Sequence, residues 1–232
     1  MENIKNDLLQ RFRPPAFPGS YFISFEGIEG AGKSTQIKNI MTYLEKMDFR
    51  VLLLREPGGT IFGEKLRKAI LDTQTDLHPL AEAHLFASAR AEMIHKVILK
   101  EMEVPGTIII SDRYIDSSLA YQGMARGLGF ETILNIHQHF PLSLVPHLTL
   151  YFKIDLKTSM ERQKTRNAPK DYFEAQGIDF YNNLIAGYEK SLELFPHRIK
   201  CINAIVSQEE ITEEVKLIID QLILQPTDIQ EG

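Results

Sequence analysis

Gly27, Ile28, Glu29, Gly30, Ala31, Gly32, Lys33 and Ser34 fit the pattern G-x-x-x-x-G-K-[ST], with Thr35 directly behind it. In that pattern the glycines let the backbone bend until successive N–H groups face a phosphate. The lysine reaches the β- and γ-phosphates, and the serine hydroxyl suits Mg²⁺. The apolar run Tyr21–Glu26 before it reads as a strand, and Ser34–Met47 after it reads as a helix. A helix start there adds about half a positive charge. A chance glycine-rich turn is the bland alternative, and the strand-loop-helix context argues against it. A GTPase needs a base-reading N-K-x-D segment, which the sequence lacks, so the weight moves to kinases and ATPases.

Three further groups carry chemistry. Asp112 and Arg113 end the apolar run Thr107–Ser111. A carboxylate there suits Mg²⁺, and the planar fork of Arg113 suits a phosphate. A surface ion pair at a strand end is the plain alternative. Phe86 and Arg90 stand four residues apart on one helical face, able to stack on a planar base and bond to its edge. The stretch 162–170 holds Arg162, Lys164, Arg166 and Lys170. A solvated basic face explains such a run; in a phosphate-loop kinase it reads as a flap that closes over ATP. The loop has no arginine of its own, so a charge-stabilising arginine would come from the flap, with Arg166 first, Arg162 second and Lys164 third. His137 and His139 fall on different helical faces and read as ordinary residues, and Cys201 reads as a small core residue.

These groups need a frame. Apolar runs recur at Tyr21–Glu26, Val51–Arg55, Thr107–Ser111, Leu148–Ile154 and Ile199–Ile202, each nearly continuous, as in parallel strands buried on both faces. Helical stretches separate them: Ser34–Met47, Pro79–Glu101, Phe173–Leu194 and Ser207–Leu224, the last with capping-box spacing between Ser207 and Glu210. In the Pro79 helix, Leu80, Ala83, His84, Ala87 and Ala91 form the expected apolar face. The reading is an α/β fold of the P-loop nucleoside triphosphate hydrolase type. It has a five-stranded parallel sheet, helices on both faces and a basic lid at about 161–176. Residues 1–20, with Pro14, Pro15 and Pro18, read as a partly ordered arm, 21–224 as the kinase domain and 225–232 as a tail. In such sheets ligands gather beyond the carboxyl ends of the strands.

Composition narrows the class. Of 232 residues, 44% are apolar and 25% charged, which suits a globular chain, and a net charge of −5 argues against sequence-independent nucleic-acid binding. A single cysteine excludes an intrachain disulfide. No apolar run is long enough to span a membrane, and the first twenty residues lack the apolar core of a secretory signal. A cytoplasmic protein is expected.

The motifs together resemble the bacterial thymidylate kinase family. The resemblance rests on Phe25-Glu26-Gly27 through Ser34-Thr35, Arg55-Glu56-Pro57-Gly58-Gly59-Thr60, Phe86 through Glu92, and Asp112 through Gly123. It implies ATP-dependent conversion of dTMP to dTDP with Mg²⁺, in a homodimer. It implies that Glu29 contacts the deoxyribose 3′-hydroxyl, Phe86 stacks on thymine, Arg90 bonds its carbonyl edge and Arg113 holds the acceptor phosphate. Ser117, Tyr121 and Gln122 would line the thymine pocket, with Arg55 and Pro57 bordering the nucleotide. The family often has an aspartate where Ala89 stands, so a salt bridge orienting Arg90 has to come from elsewhere. Two other readings stand beside it: a related kinase with different base choice, and a nucleotide-binding module without catalysis.

Overall fold

The computed structural model describes residues 4–72, 77–164, 173 and 176–224. Five strands, β1 (Tyr21–Glu26), β2 (Arg50–Arg55), β3 (Thr107–Asp112), β4 (Leu148–Lys153) and β5 (Ile199–Asn203), form a parallel sheet in the order β2-β3-β1-β4-β5. The chain moves to one side of β1 for β2 and β3, then to the other for β4 and β5. The crevice at the end of β1 is therefore the switch point where such sheets bind ligands.

Alternation along the central strands divides the core in two. Phe22 and Ile109 join Met93, Ile94, Phe130 and Ile133 on one face. Ile23, Phe25, Ile108 and Ile110 join Ile40, Leu44, Leu184 and Val215 on the other. Each fully buried aliphatic side chain contributes roughly 1.5–3 kcal/mol, so the central strands are rigid supports for whatever follows their ends. Burial on both faces fails at the edges. In β2 only Leu54 is buried and Leu53 is 45% exposed; Cys201 of β5, expected in the core, is exposed. An edge strand has a neighbour on one side only, so part of it stays open to solvent, although Ile199 and Ile202 of β5 are still buried.

The helix after the loop runs Lys33–Glu45 and buries Ile37, Ile40 and Leu44. The final helix, Gln208–Leu224, begins with a reciprocal cap: Glu210 N–H donates to Ser207 Oγ at 3.2 Å and Ser207 N–H to Glu210 Oε2 at 3.0 Å. The helix Pro79–Met93 continues through a π-helical segment, Ile94–Ile98, to Leu99–Met102. Its buried face differs from the expected one. Leu80 and His84 are exposed, while Ala83, Ala87, Arg90 and Met93 point inward. Arg90 thus belongs to the buried face, where the ion pair described below replaces apolar packing.

Helices Ile61–Leu71 and Phe130–His137 carry no clear signal in the sequence pattern, nor do Ile115–Ser118 and its π-helical extension Leu119–Ala125. The helix Ile178–Leu194 crosses that extension so closely that a Cβ on Gly187 would lie 2.7 Å from Ala120 Cα. In the arm, a short helix spans Asn6–Leu9, and Leu8 and Phe12 are buried against the domain. Among the described residues no helix is long and apolar enough to cross a membrane.

Candidate functional site

The register sets the site. Arg55 of β2 and Phe25 of β1 both pair with Asp112 of β3, so three strands end level. Beyond β1 the chain turns through Gly27, where φ is 136° and a Cβ would lie 2.6 Å from Phe152 O. Only glycine tolerates both constraints. Gly32, at φ 85°, caps the helix Lys33–Glu45 and leaves its first N–H groups facing outward.

Two cations converge on one atom. Lys33 Nζ donates to Gly27 O at 2.9 Å, and Arg113 NH1 donates to the same oxygen at 3.0 Å. Burial, reinforced by the Arg113 charge, pushes the Lys33 ammonium down to about 8. Arg113 also meets Tyr188 OH at 3.0 Å and Glu29 Oε1 at 2.5 Å, and its guanidinium lies 5.0 Å from the Tyr121 ring centre. Tyr121 OH donates to the same Glu29 oxygen at 2.8 Å. Burial alone would raise the Glu29 carboxyl, but Arg113 and Lys33 hold it below its usual range.

Arg113 has φ 73°, a left-handed conformation that costs a non-glycine residue about 1–3 kcal/mol. Its N–H bond to Phe25 O at 3.1 Å and the Ser111 Oγ bond to its carbonyl at 2.7 Å hold it there. The strain aims the guanidinium across the end of β1. Under it, Glu26 accepts from Tyr114 N–H and Ser117 Oγ, both at 2.6 Å. Burial and the neighbouring Asp116 charge push its carboxyl up to about 8.

Next to this lies a cleft with roughly 500 Å³ of empty space, its open mouth included, lined by Glu29, Pro57, Phe86, Arg90, Arg113, Ser117, Tyr121, Gln122 and Phe173, among others. Arg90 is clamped at its back. Nε lies 3.0 and 2.9 Å from the two Glu56 oxygens, NH2 bonds Glu56 Oε2 and Ser118 Oγ, and NH1 bonds His137 Nε2 at 2.7 Å. Burial, with the Arg90 charge, lowers the His137 ring to about 3. The ring is therefore neutral: Nδ1–H donates to Ile133 O, 2.8 Å away, and Nε2 accepts from Arg90. Glu56 supplies the salt bridge that Ala89 does not. The expected Arg-Glu-Pro segment contained it, but only the tertiary contact reveals its partner; His137 carried no such signal.

The other expected residues fall around the same crevice. Arg55 lies outside the base-sized cleft, pairs with Glu64 at 3.1 Å, and shares a groove with Ser34 and Asp112. Arg162 donates from NH1 to Gly30 O and from NH2 to Ala204 O, both at 3.1 Å. It borders a groove with Gly30, Ala31, Gly32, Thr35, Ala204 and Val206. Ile28, the second residue of the loop, is buried. Arg166 and most of the expected lid lie outside the described residues. Phe173, at its far end, packs on Tyr121 at 5.3 Å and Phe86 at 6.2 Å between ring centres. Arg67, whose NH1 donates to Pro57 O at 3.2 Å, also lines the cleft. Neither of these two was singled out by the sequence patterns.

A family model described as thymidylate kinase matches residues 25–215. The chain is 41% identical to a thymidylate kinase of Thermoanaerobacter sp. (strain X514) over 199 residues, 86% of this chain and 95% of that protein. It is 38% identical to a thymidylate kinase of Chlorobaculum tepidum, covering 86% and 97%. The crystal structure of thymidylate kinase from Ehrlichia chaffeensis superimposes with a TM-score of 0.70 at 30% identity, over 88% of this chain and 99% of that one.

Proposed function

The chain belongs to the thymidylate kinase family, and from that premise we propose how its residues divide the work of a phosphoryl transfer. The reaction takes the γ-phosphoryl group of ATP to dTMP and yields dTDP and ADP. The observation that carries the assignment of roles is the convergence of Lys33 and Arg113 on Gly27 O, because a donor and an acceptor phosphate can meet there.

ATP binds with its phosphates in the loop from Gly27 to Thr35, on the backbone N–H groups, the helix start and Lys33. Its base end lies toward the groove of Arg162, Ala204 and Val206. In the neighbouring cleft dTMP stacks on Phe86, turns its carbonyl edge to Arg90, and packs against Ser117, Tyr121, Gln122 and Pro57. Glu29 meets the sugar hydroxyl and Arg113 the acceptor phosphate.

The acceptor phosphate's second ionisation is near pH 6, by analogy with phosphoresidues, so it arrives as a dianion. It attacks the γ-phosphorus as the bond to the β–γ bridging oxygen breaks and ADP leaves. No side chain has to accept a proton. The barrier is repulsion between two anions, which Lys33, Arg113 and the lid cations Arg162 and Arg166 offset while they align the oxygens. Arg55 borders the donor phosphates.

The residues also fit the cation that accompanies ATP. Asp112 Oδ1 is buried without a hydrogen-bond partner among the described residues, in the groove that holds the exposed Ser34. Among those residues no three His, Cys, Asp or Glu side chains gather as metal ligands. That donor set suits Mg²⁺, held by one or two protein oxygens plus phosphates, rather than a metal in an all-protein cage. Ser34 and Asp112 would hold it, and it would offset the negative charge of the phosphates. On the family resemblance the protein works in the cytoplasm as a homodimer, testable by sedimentation.

The discriminating experiment is a panel of dTMP, dUMP, UMP, CMP, AMP and GMP with ATP and Mg²⁺ in a coupled ADP assay. The expected result is the highest kcat/KM for dTMP. Preference for a cytosine or purine acceptor would refute the base-cleft assignment.

A further inference from the structure

Gln122 presents an amide to the base cleft, and its orientation decides whether the cleft offers a hydrogen-bond acceptor or a donor. Its Nε2 donates to Glu82 Oε1 at 2.8 Å, and both side chains are buried, Glu82 completely. An ionised carboxylate only accepts, so it draws the NH₂ end of the amide to itself and turns Oε1 the other way. Burial pushes the Glu82 carboxyl up, opposed by the Gln122 bond and by Arg126, whose NH2 lies 3.2 Å from Oε2. Glu82 also stands in the first turn of the helix Pro79–Met93, where the helix dipole favours an anion. Arg126 in turn lies 6.0 and 5.7 Å from the ring centres of Phe173 and Phe180, which anchors the carboxylate from a second side.

We propose that Glu82 is a positioning residue for base choice: it locks Gln122 with Oε1 toward the base, so that the cleft takes a pyrimidine bearing N3–H and rejects one whose N3 is a bare acceptor. The inference rests on the reading of this cleft as the base site. Thymine and uracil carry N3–H beside a C4 carbonyl; cytosine has a lone pair at N3 beside a C4 amino group. Against a fixed Oε1, cytosine sets lone pair against lone pair in a buried place, where an unmade hydrogen bond is costly. Arg90 reinforces the choice. Four of its five N–H groups are used on Glu56, Ser118 and His137, which leaves one NH1 hydrogen to donate to a carbonyl.

Glu82→Gln is the isosteric probe, because an amide at 82 can meet Gln122 with either end and so releases the lock. The readout is the ratio of kcat/KM for dTMP to that for dCMP. E82Q should lower this ratio about tenfold, chiefly through KM. In a Gln122→Ala background the same substitution should leave the ratio where Q122A alone sets it. A wild-type ratio in E82Q, or an equal loss on both acceptors, overturns the positioning role while an impaired Q122A leaves the base-cleft reading standing. A Q122A enzyme with unchanged KM and ratio overturns both. If E82Q fails to fold, Glu82→Gln with Arg126→Gln removes the guanidinium as well and carries the same expectations.

Discussion

Glu56→Gln tests whether Arg90 owes its place to one buried carboxylate. The guanidinium side chain is 1% exposed and the carboxylate 5%. Both Nε and NH2 of Arg90 point at Glu56, while the other partners, Ser118 Oγ at 3.0 Å and the neutral His137 ring at 2.7 Å, carry no charge. Removing the negative charge leaves a buried cation among neutral acceptors, which costs about 3–5 kcal/mol. The glutamine oxygen still accepts one bond, so the lower figure applies. At this chain length 1 kcal/mol moves Tm by about 2–4 °C, so E56Q should melt about 6–12 °C lower. E56Q combined with Arg90→Met removes both charges and should recover more than half of the loss. Thermal and urea unfolding of the four proteins of the cycle measures this. An E56Q protein within about 0.5 kcal/mol of wild type, or a double variant no more stable than E56Q, would refute compensation of a buried charge by Glu56.

Arg113→Ala should lower kcat about 10²–10³-fold in a folded protein, by analogy with loss of one charge-stabilising donor; near-normal turnover would remove it from the site. Phe86→Leu should raise the KM for dTMP about 5- to 150-fold, from the roughly 1–3 kcal/mol of base–aromatic stacking, with a smaller change in kcat. Gly27→Ala has to place a methyl 2.6 Å from Phe152 O at φ 136°; it should abolish ATP binding by calorimetry, and retained affinity would contradict the loop geometry. Lys33 titrates near 8, so in the free enzyme it is about half protonated at pH 8. An arriving polyphosphate raises that value. ATP binding should therefore take up about half a proton at pH 8 and almost none from this group at pH 6.5. Calorimetry in buffers of different ionisation enthalpy reads the uptake, and no difference between the two pH values would count against a depressed lysine.

Much of the frame was legible because its signals are local. The strands β1 to β5 lie within one residue of the apolar runs at each end, since a buried parallel strand has to be apolar almost throughout. The loop from Gly27 to Ser34 and the Ser207–Glu210 cap follow from spacing alone. The short helices Ile61–Leu71 and Ile115–Ser118 were not legible, because a few turns with glycine or mixed polarity carry little periodicity. Leu53 and Cys201 show the opposite limit: apolar character predicts burial only where a neighbour exists to cover it.

By itself the sequence determined the order of the strands along the chain, the phosphate loop and the residue types that meet a nucleotide, since these depend on near neighbours. The tertiary structure alone decided which partners those residues have. Glu56 and His137 reach Arg90 from positions 34 and 47 residues away, and Arg113 meets Lys33 on a carbonyl 86 residues before it. Such pairings depend on strand order and helix docking, and buried charges take their strength from the low dielectric that only the assembled fold creates.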